Sequence, residues 1–165
     1  MYLLDANVFI QSHRAHYGFD VVPGFWEWLA LGGGAGTLAS VRIIKDELDV
    51  GQDELTGWAV DHASLFLAMD AAARPSLAHL ARRATSTSAG YIQAAQAEFL
   101  ASGDYQLVAY AHAYNHTVVT YEVPAPGSKK KIKIPDACRA LDVPCTGPYA
   151  MLREESARFV LGSSA

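Results

Sequence analysis

Short apolar runs alternate along the chain with longer stretches in which apolar residues recur at helical spacing. The first run, Tyr2-Leu3-Leu4, predicts a strand, and a helix from Asn7 to about Tyr17 follows it. Pro23 opens a second helix carrying Phe25, Trp26, Trp28, Leu29 and Leu31, and the glycines at 32–36 are expected to end it. No Lys-Ser/Thr follows those glycines, so they read as a loop rather than a phosphate cradle. Thr37–Ser40 predicts a second strand, and Val41–Val50 a helix striped by Val41, Ile44 and Leu48. Asp53–His62 predicts another helix, while Ser64–Met69 fits either type. The alanine-rich stretch 75–101 predicts two helices broken near Ser86–Gly90, then Asp104–Asn115 a helix and Thr117–Thr120 a β-branched strand. Beyond an exposed loop rich in proline and lysine, Ile132–Ile134 and Val143–Thr146 are expected as short strands, and Pro135–Leu141 and Tyr149–Leu161 as helices. Strands separated by helices, without internal repeats, imply a mostly parallel sheet in one layered α/β domain spanning residues 1–165.

Composition narrows this picture. The chain is 51% hydrophobic and 18% charged, which suits a globular protein rather than a disordered one. Its net charge of −4 argues against a generally basic nucleic-acid coat protein. It leaves room for an enzyme with an acidic metal site and a locally basic rim. Cys138 and Cys145 are too few and too close for a disulfide framework, and read as reduced, buried thiols. No signal peptide precedes the first strand, and no apolar run approaches the ~20 residues of a membrane span. The expected location is the cytoplasm, with no membrane association.

Four acids stand out. Asp5 closes the first strand where a helix begins, the position from which an open α/β sheet presents charge to a ligand crevice. Helix capping is the competing explanation. At ~100° per residue, Glu47 falls within the arc of Ile43, Ile44 and Leu48, whereas Asp46 and Asp49 share the polar side with Arg42 and Lys45. An ionised glutamate facing a core is costly without a partner, so Glu47 is a functional candidate. The competing reading has it at the stripe's edge or paired with an arginine. Asp104 follows Gly103, opens a helix and shares the arc of Leu107, Val108 and Ala111, with capping again the alternative. Glu122 lies just past Val118-Val119-Thr120, and Asp136 competes with it as fourth acid. Carboxylates converging on one crevice repel one another unless a cation sits among them, which points to a divalent metal.

These segments together resemble the PIN-domain nucleases. The resemblance rests on Leu3-Leu4-Asp5-Ala6-Asn7-Val8-Phe9-Ile10, Asp46-Glu47-Leu48, Gly103-Asp104 before Leu107-Val108-Ala109-Tyr110-Ala111, and Val118-Val119-Thr120-Tyr121-Glu122. Within the family the chain is most similar to bacterial stand-alone members, whose likeness extends to Pro23-Gly24-Phe25-Trp26 and Lys133-Ile134-Pro135-Asp136. The resemblance implies a three-layer α/β/α sandwich whose acids hold Mg²⁺ or Mn²⁺ and which cleaves single-stranded RNA. It also implies the toxin of a toxin–antitoxin pair, with an antitoxin protein as partner and a homodimer left open. By the same likeness Asp5, Glu47 and Asp104 take the core acid positions and Asn7 the polar position beside the first. Glu122 stands where the family often has an aspartate, so Asp136 stays open as its substitute.

On this reading Asp5, Glu47, Asp104 and Glu122 are metal ligands, direct or through water, and Asn7 orients a water or the scissile phosphate. Phosphate grip falls to Lys129, Lys130, Lys131 and Lys133, weighed evenly against a solvated loop, with Arg14, Arg42 and Lys45 as weaker rim candidates. Tyr17 and Tyr121 are candidates for base stacking, against ordinary packing. His112 and His116 have the spacing of a zinc pair but lack the glutamate of a metalloprotease motif. Phosphoryl transfer on Asp5, as in haloacid-dehalogenase-like phosphatases, requires a second acid at position 7, where Asn7 stands. The non-enzymatic alternative is a PIN-like scaffold that binds RNA or protein without cutting.

Overall fold

A computed structural model describes residues 1–160. Its strands β1 (Tyr2–Leu4), β2 (Leu38–Val41), β3 (Phe66–Leu67), β4 (Thr117–Val119) and β5 (Cys145–Thr146) form one sheet in the order β3-β2-β1-β4-β5. Every neighbouring pair is parallel. Parallel pairing forces long crossovers, and the crossovers here are helices that cover both faces, giving a three-layer α/β/α sandwich. Buried on both sides, the strands are almost wholly apolar: Leu3, Leu4, Leu38, Val118 and Val119 are at most 1% exposed. Ser40 is the fully buried polar residue among them, its hydroxyl donating to the Leu4 carbonyl at 2.6 Å and tying β2 to the end of β1.

The topology fixes where a site can lie. From β1 the chain moves outward to β2 and β3, then returns to place β4 on the other side of β1. The order therefore reverses at β1 and β4, the place where an open α/β sheet can receive a ligand at its carboxyl edge. Tyr2 pairs with Thr117 and Leu4 with Val119, so the residues that follow, Asp5 and Thr120, emerge side by side.

The helices are α1 (Ala6–Gln11), α2 (Pro23–Gly34), α3 (Arg42–Asp49), α4 (Glu54–Asp61), α5 (Arg74–Ala84), α6 (Gln93–Ala101), α7 (Gly103–Tyr114), α8 (Ile134–Ala140) and α9 (Pro148–Glu154). Several depart from the sequence pattern. The helix expected from Asn7 to Tyr17 widens after Gln11 into a π turn over Ser12–His16, closed by the Tyr17 N–H to the Ser12 carbonyl at 2.6 Å. The glycines expected to end α2 lie inside it. A Cβ on Gly32 would stand 2.7 Å from Leu38 Cγ, and one on Gly33 would overlap Leu65, so close packing rather than a turn demands glycine there. Ile132–Ile134 is not a strand, because Ile134 already begins α8 with Pro135 in its first turn. The expected strand at Val143–Thr146 shortens to β5, since Val143 N–H turns back to Cys138 O and Pro144 has no N–H. The closing helix stops at Glu154, and Leu161 lies outside the described residues. Cys138 is buried as expected, but Cys145 is exposed on the edge strand; both are free.

One hydrophobic core joins the sheet to these helices, and the tryptophans anchor it. Trp26 stacks on Phe19 with centroids 4.2 Å apart and meets Trp58 edge-on at 5.1 Å. None of the described helices is long and apolar enough to cross a membrane.

Candidate acidic site at the sheet's carboxyl edge

Asp5 is 3% exposed and sits at the N-cap of α1, yet its carboxylate makes no capping bond. It accepts instead from the Thr120 hydroxyl, Oγ1 to Oδ2 at 2.8 Å, across the β1–β4 switch. Thr120, itself 3% exposed, also accepts from Asn7 Nδ2 at 3.0 Å and from the Glu122 N–H at 3.0 Å. Asn7 completes the lattice by accepting the Tyr121 N–H at 3.1 Å. Both ends of the Asn7 amide are thus engaged, and it holds Thr120 and the Tyr121 backbone in place.

Asp104 lies in the first turn of α7, whose cap position belongs to Ser102. A helix leading into a parallel strand starts at the sheet's carboxyl edge, which is why α7 delivers Asp104 beside Asp5. Glu47 arrives on α3, directly after β2. It does not face the core: α3 buries Ile44 and Leu48, and Glu47 stands exposed at the margin of that stripe. From there it reaches across to α7, where Oε1 accepts the Gly103 N–H at 3.1 Å. Glu47, Asp104, Glu98 and Lys131 line one cavity of about 230 Å³, and Glu47 also lines a second with Arg14 and Asp53.

Electrostatics tie the acids together. Burial pushes Asp5 up to about 7, with the charge of Asp104 adding to the rise, Glu122 adding less, and the Thr120 hydrogen bond opposing it. Asp104 is pushed up to about 6, first by burial, then by Glu122 and Glu47, while Lys131 and Lys133 pull it down. Burial also raises Glu47, against the Gly103 hydrogen bond.

The remaining sequence candidates divide cleanly. Glu122 belongs to the same electrostatic group, but its oxygens are taken: Lys133 Nζ lies 2.6 Å from Oε1, and the Ile134 N–H donates to Oε2 at 2.8 Å. Asp136 is engaged elsewhere, accepting from Arg139 at 2.6 Å and from the Ala125 N–H at 2.7 Å. It braces the 124–136 loop. Of the lysines, Lys131 faces the acids and Lys133 pairs with Glu122, whereas Lys129 donates to the Ala89 carbonyl and Lys130 is solvent-exposed. Lys45 pairs with Asp49, and Arg42 is exposed. Tyr17 stacks on Phe25 at 4.2 Å as packing, while Tyr121 lies partly buried against His16. His112 bonds Ser76 at 2.7 Å instead of pairing with His116.

Thr120 is the residue the pattern did not single out. Replacing it with valine strips a buried donor from Asp5 and an acceptor from Asn7 and the Glu122 N–H. Thr120→Val is expected to cost about 1–3 kcal/mol in denaturant unfolding, whereas Thr120→Ser, which keeps the hydroxyl, retains most of that stability. Gly103 is the second. A Cβ there would overlap Glu47 Oε1 and lie 2.8 Å from Ile44 Cδ1. Gly103→Ala is expected to expel the Glu47 carboxylate and cost about 1–3 kcal/mol by overpacking, with melting curves and a structure of the variant as the check.

The fold and site define a class: an α/β protein with a buried acidic crevice at the switch point of a parallel sheet. The chain belongs to the family described as a domain of unknown function (DUF4411), which matches residues 2–159. No curated protein matches it, and no solved structure does.

Proposed function

We propose that this protein is a divalent-metal-dependent endoribonuclease of the PIN-domain kind, which hydrolyses phosphodiester bonds in single-stranded RNA in the bacterial cytoplasm. We further propose that it is the toxin of a toxin–antitoxin pair, with an antitoxin protein as its partner. The observation that carries the enzymatic reading is the placement of buried Asp5 at the end of β1, Asp104 in the first turn of α7 and Glu122 just after β4 at one sheet edge, with Glu47 reaching the Gly103 N–H beside them. Burying like charges together is costly unless an opposite charge belongs among them.

The donor set fits a hard cation. Every candidate ligand is a carboxylate oxygen, which suits Mg²⁺ or Mn²⁺. Asp5, Glu47 and Asp104 would hold the ion. Among the described residues no three His, Cys, Asp or Glu side chains are gathered closely enough to form a shell by themselves. The three carboxylates would therefore reach one ion partly through bound water, as Mg²⁺ sites allow. When bound, such an ion supplies Lewis acidity toward phosphoryl oxygens and lowers the pKa of water.

The chain's own residues supply the rest. Thr120 fixes the orientation of Asp5, and Asn7 holds Thr120 and the Tyr121 backbone in register. Gly103 N–H anchors Glu47 beside the first turn of α7. Lys131 brings a cation to the side of Asp104, where an incoming phosphate would otherwise meet only acids. Glu122 positions the lysine loop through Lys133 and Ile134.

Titrating Mn²⁺ into the protein with a labelled RNA pool tests this reading. Cleavage that depends on the ion and disappears in Asp5→Asn is expected; binding without cleavage at any Mn²⁺ concentration overturns it. The second reading, a PIN-like scaffold that binds RNA or protein without cutting, draws on Glu122, whose carboxylate Lys133 already neutralises. For the partner, co-purification with the product of the neighbouring reading frame is expected. A protein that remains alone and harmless on expression counts heavily against toxin biology.

A further inference from the structure

Beyond two buried side chains from the acids lies another cavity. Phe99 and Ile132 line both it and the cavity containing Glu47 and Asp104. It encloses about 290 Å³ over an apolar floor that includes Leu80, Ala84 and Ala137, each no more than 5% exposed. Tyr91 forms part of its wall, partly buried, with Lys129 Nζ 5.5 Å from the ring centroid. Arg83, Lys129 and Arg139 stand exposed around it, against one acid, Asp136. Asp136 is already taken by Arg139 and the Ala125 N–H. Arg83 pairs with no acid among the described residues, and Lys129 donates only to a carbonyl, that of Ala89. Two uncompensated cations therefore border an apolar, aromatic-walled hollow in a chain whose net charge is −4.

An apolar floor with one aromatic face suits a flat, weakly polar ring, and the unpaired cations suit an anion attached to it. A nucleotide joins those two features in one unit. An apolar peptide would leave the cations unused, and a free phosphate would leave the floor and Tyr91 unused.

We infer that this cavity is a nucleotide subsite, taking the base and phosphate of an RNA residue that flanks the linkage cut at the acids. The inference rests on the nuclease reading for its place beside the acids. The base lies against Tyr91 and the Phe99–Ile132 wall, and Arg83 and Lys129 meet the phosphate. The shared wall makes the two cavities neighbours, so one strand can occupy both.

The test uses the full chain carrying Asp5→Asn, so that binding is read without cleavage. Its probes are a fluorescent single-stranded RNA pool and the four nucleoside 5′-monophosphates, with inorganic phosphate as control. Tyr91→Leu is expected to weaken RNA binding about tenfold, the loss of one stacked base. Arg83→Ala, at an exposed position, is expected to reduce the slope of log affinity against log salt by about one. Nucleoside monophosphates are expected to displace RNA at concentrations where inorganic phosphate does not. In an otherwise wild-type chain both substitutions raise KM for RNA with kcat little changed.

The outcomes separate the two readings. If the wild-type chain cuts RNA while both variants bind and cut as it does, the subsite is wrong and the nuclease stands. If the wild type cuts nothing, yet nucleotides bind and Tyr91→Leu and Arg83→Ala weaken that binding, the cavity stands and the nuclease fails. If inorganic phosphate competes as well as the nucleotides, or no nucleotide binds, the subsite is overturned.

Discussion

Asp5→Asn is expected to move activity and stability in opposite directions. Metal-dependent RNA cleavage should fall about a thousandfold, the effect of losing about 4 kcal/mol of transition-state stabilisation. The metal-free protein should instead become more stable. Asp5 is 3% exposed and raised from 3.8 to about 7, so above neutral pH its ionised form opposes folding. The amide oxygen of asparagine still accepts the Thr120 hydroxyl bond, while the charge and its repulsion from Asp104 disappear. At pH 8 a gain of about 2–4 kcal/mol follows from a shift of that size. For a chain of this length that is a rise of about 5–10 °C in melting temperature. Paired melting curves and cleavage assays on the same preparation check both halves. Loss of activity together with loss of stability would show that Asp5 is a structural residue.

The second large effect is in pH. Asp5 and Asp104 bind protons more tightly in the folded protein than in the unfolded chain, since both are raised from 3.8, to about 7 and about 6. Their contribution to stability is complete below pH 3.8, declines as pH rises, and is lost once pH passes about 7. This is the reverse of the usual surface carboxylate, whose ion pair fails in acid. The metal-free protein should therefore be less stable at pH 8 than at pH 5 by about 4 kcal/mol. Urea unfolding across that range measures it, and the difference should shrink in Asp5→Asn. Millimolar Mn²⁺ should restore much of the loss at pH 8, since an ion at a hundred times its Kd stabilises by about 2.7 kcal/mol. A stability that climbs from pH 5 to pH 8 without metal would contradict the electrostatic grouping.

Much of this was legible before any coordinates. The alternation of strand and helix led directly to a parallel α/β sandwich, and the acids at the ends of β1 and the start of α7 do reach one sheet edge. The misses that matter at the site come from contacts between residues brought together by the fold. Helical periodicity assigned Glu47 to the apolar stripe, but the residue is exposed and gains its role from the Gly103 N–H. Glycines normally break helices, yet Gly32 and Gly33 continue α2 because Leu38 and Leu65 press against them. Thr120 passed as an ordinary β-branched strand residue. Only the adjacency of β1 and β4 turns its hydroxyl into the centre of a buried lattice. Lysine identity alone could not separate Lys131, beside the acids, from Lys129 and Lys130.

The clasp of Glu122 on Lys133 and the Ile134 N–H fastens the two ends of an exposed segment rich in proline and lysine. Chain between two fixed posts can lengthen, shorten or change composition at modest entropic cost without disturbing what the posts support. Within that span the tolerance is greatest around Gly127-Ser128, because Lys129, Lys131 and the buried Ile132 line the cavities next to the acids. An insertion confined to that turn would leave the walls beside the acids in place.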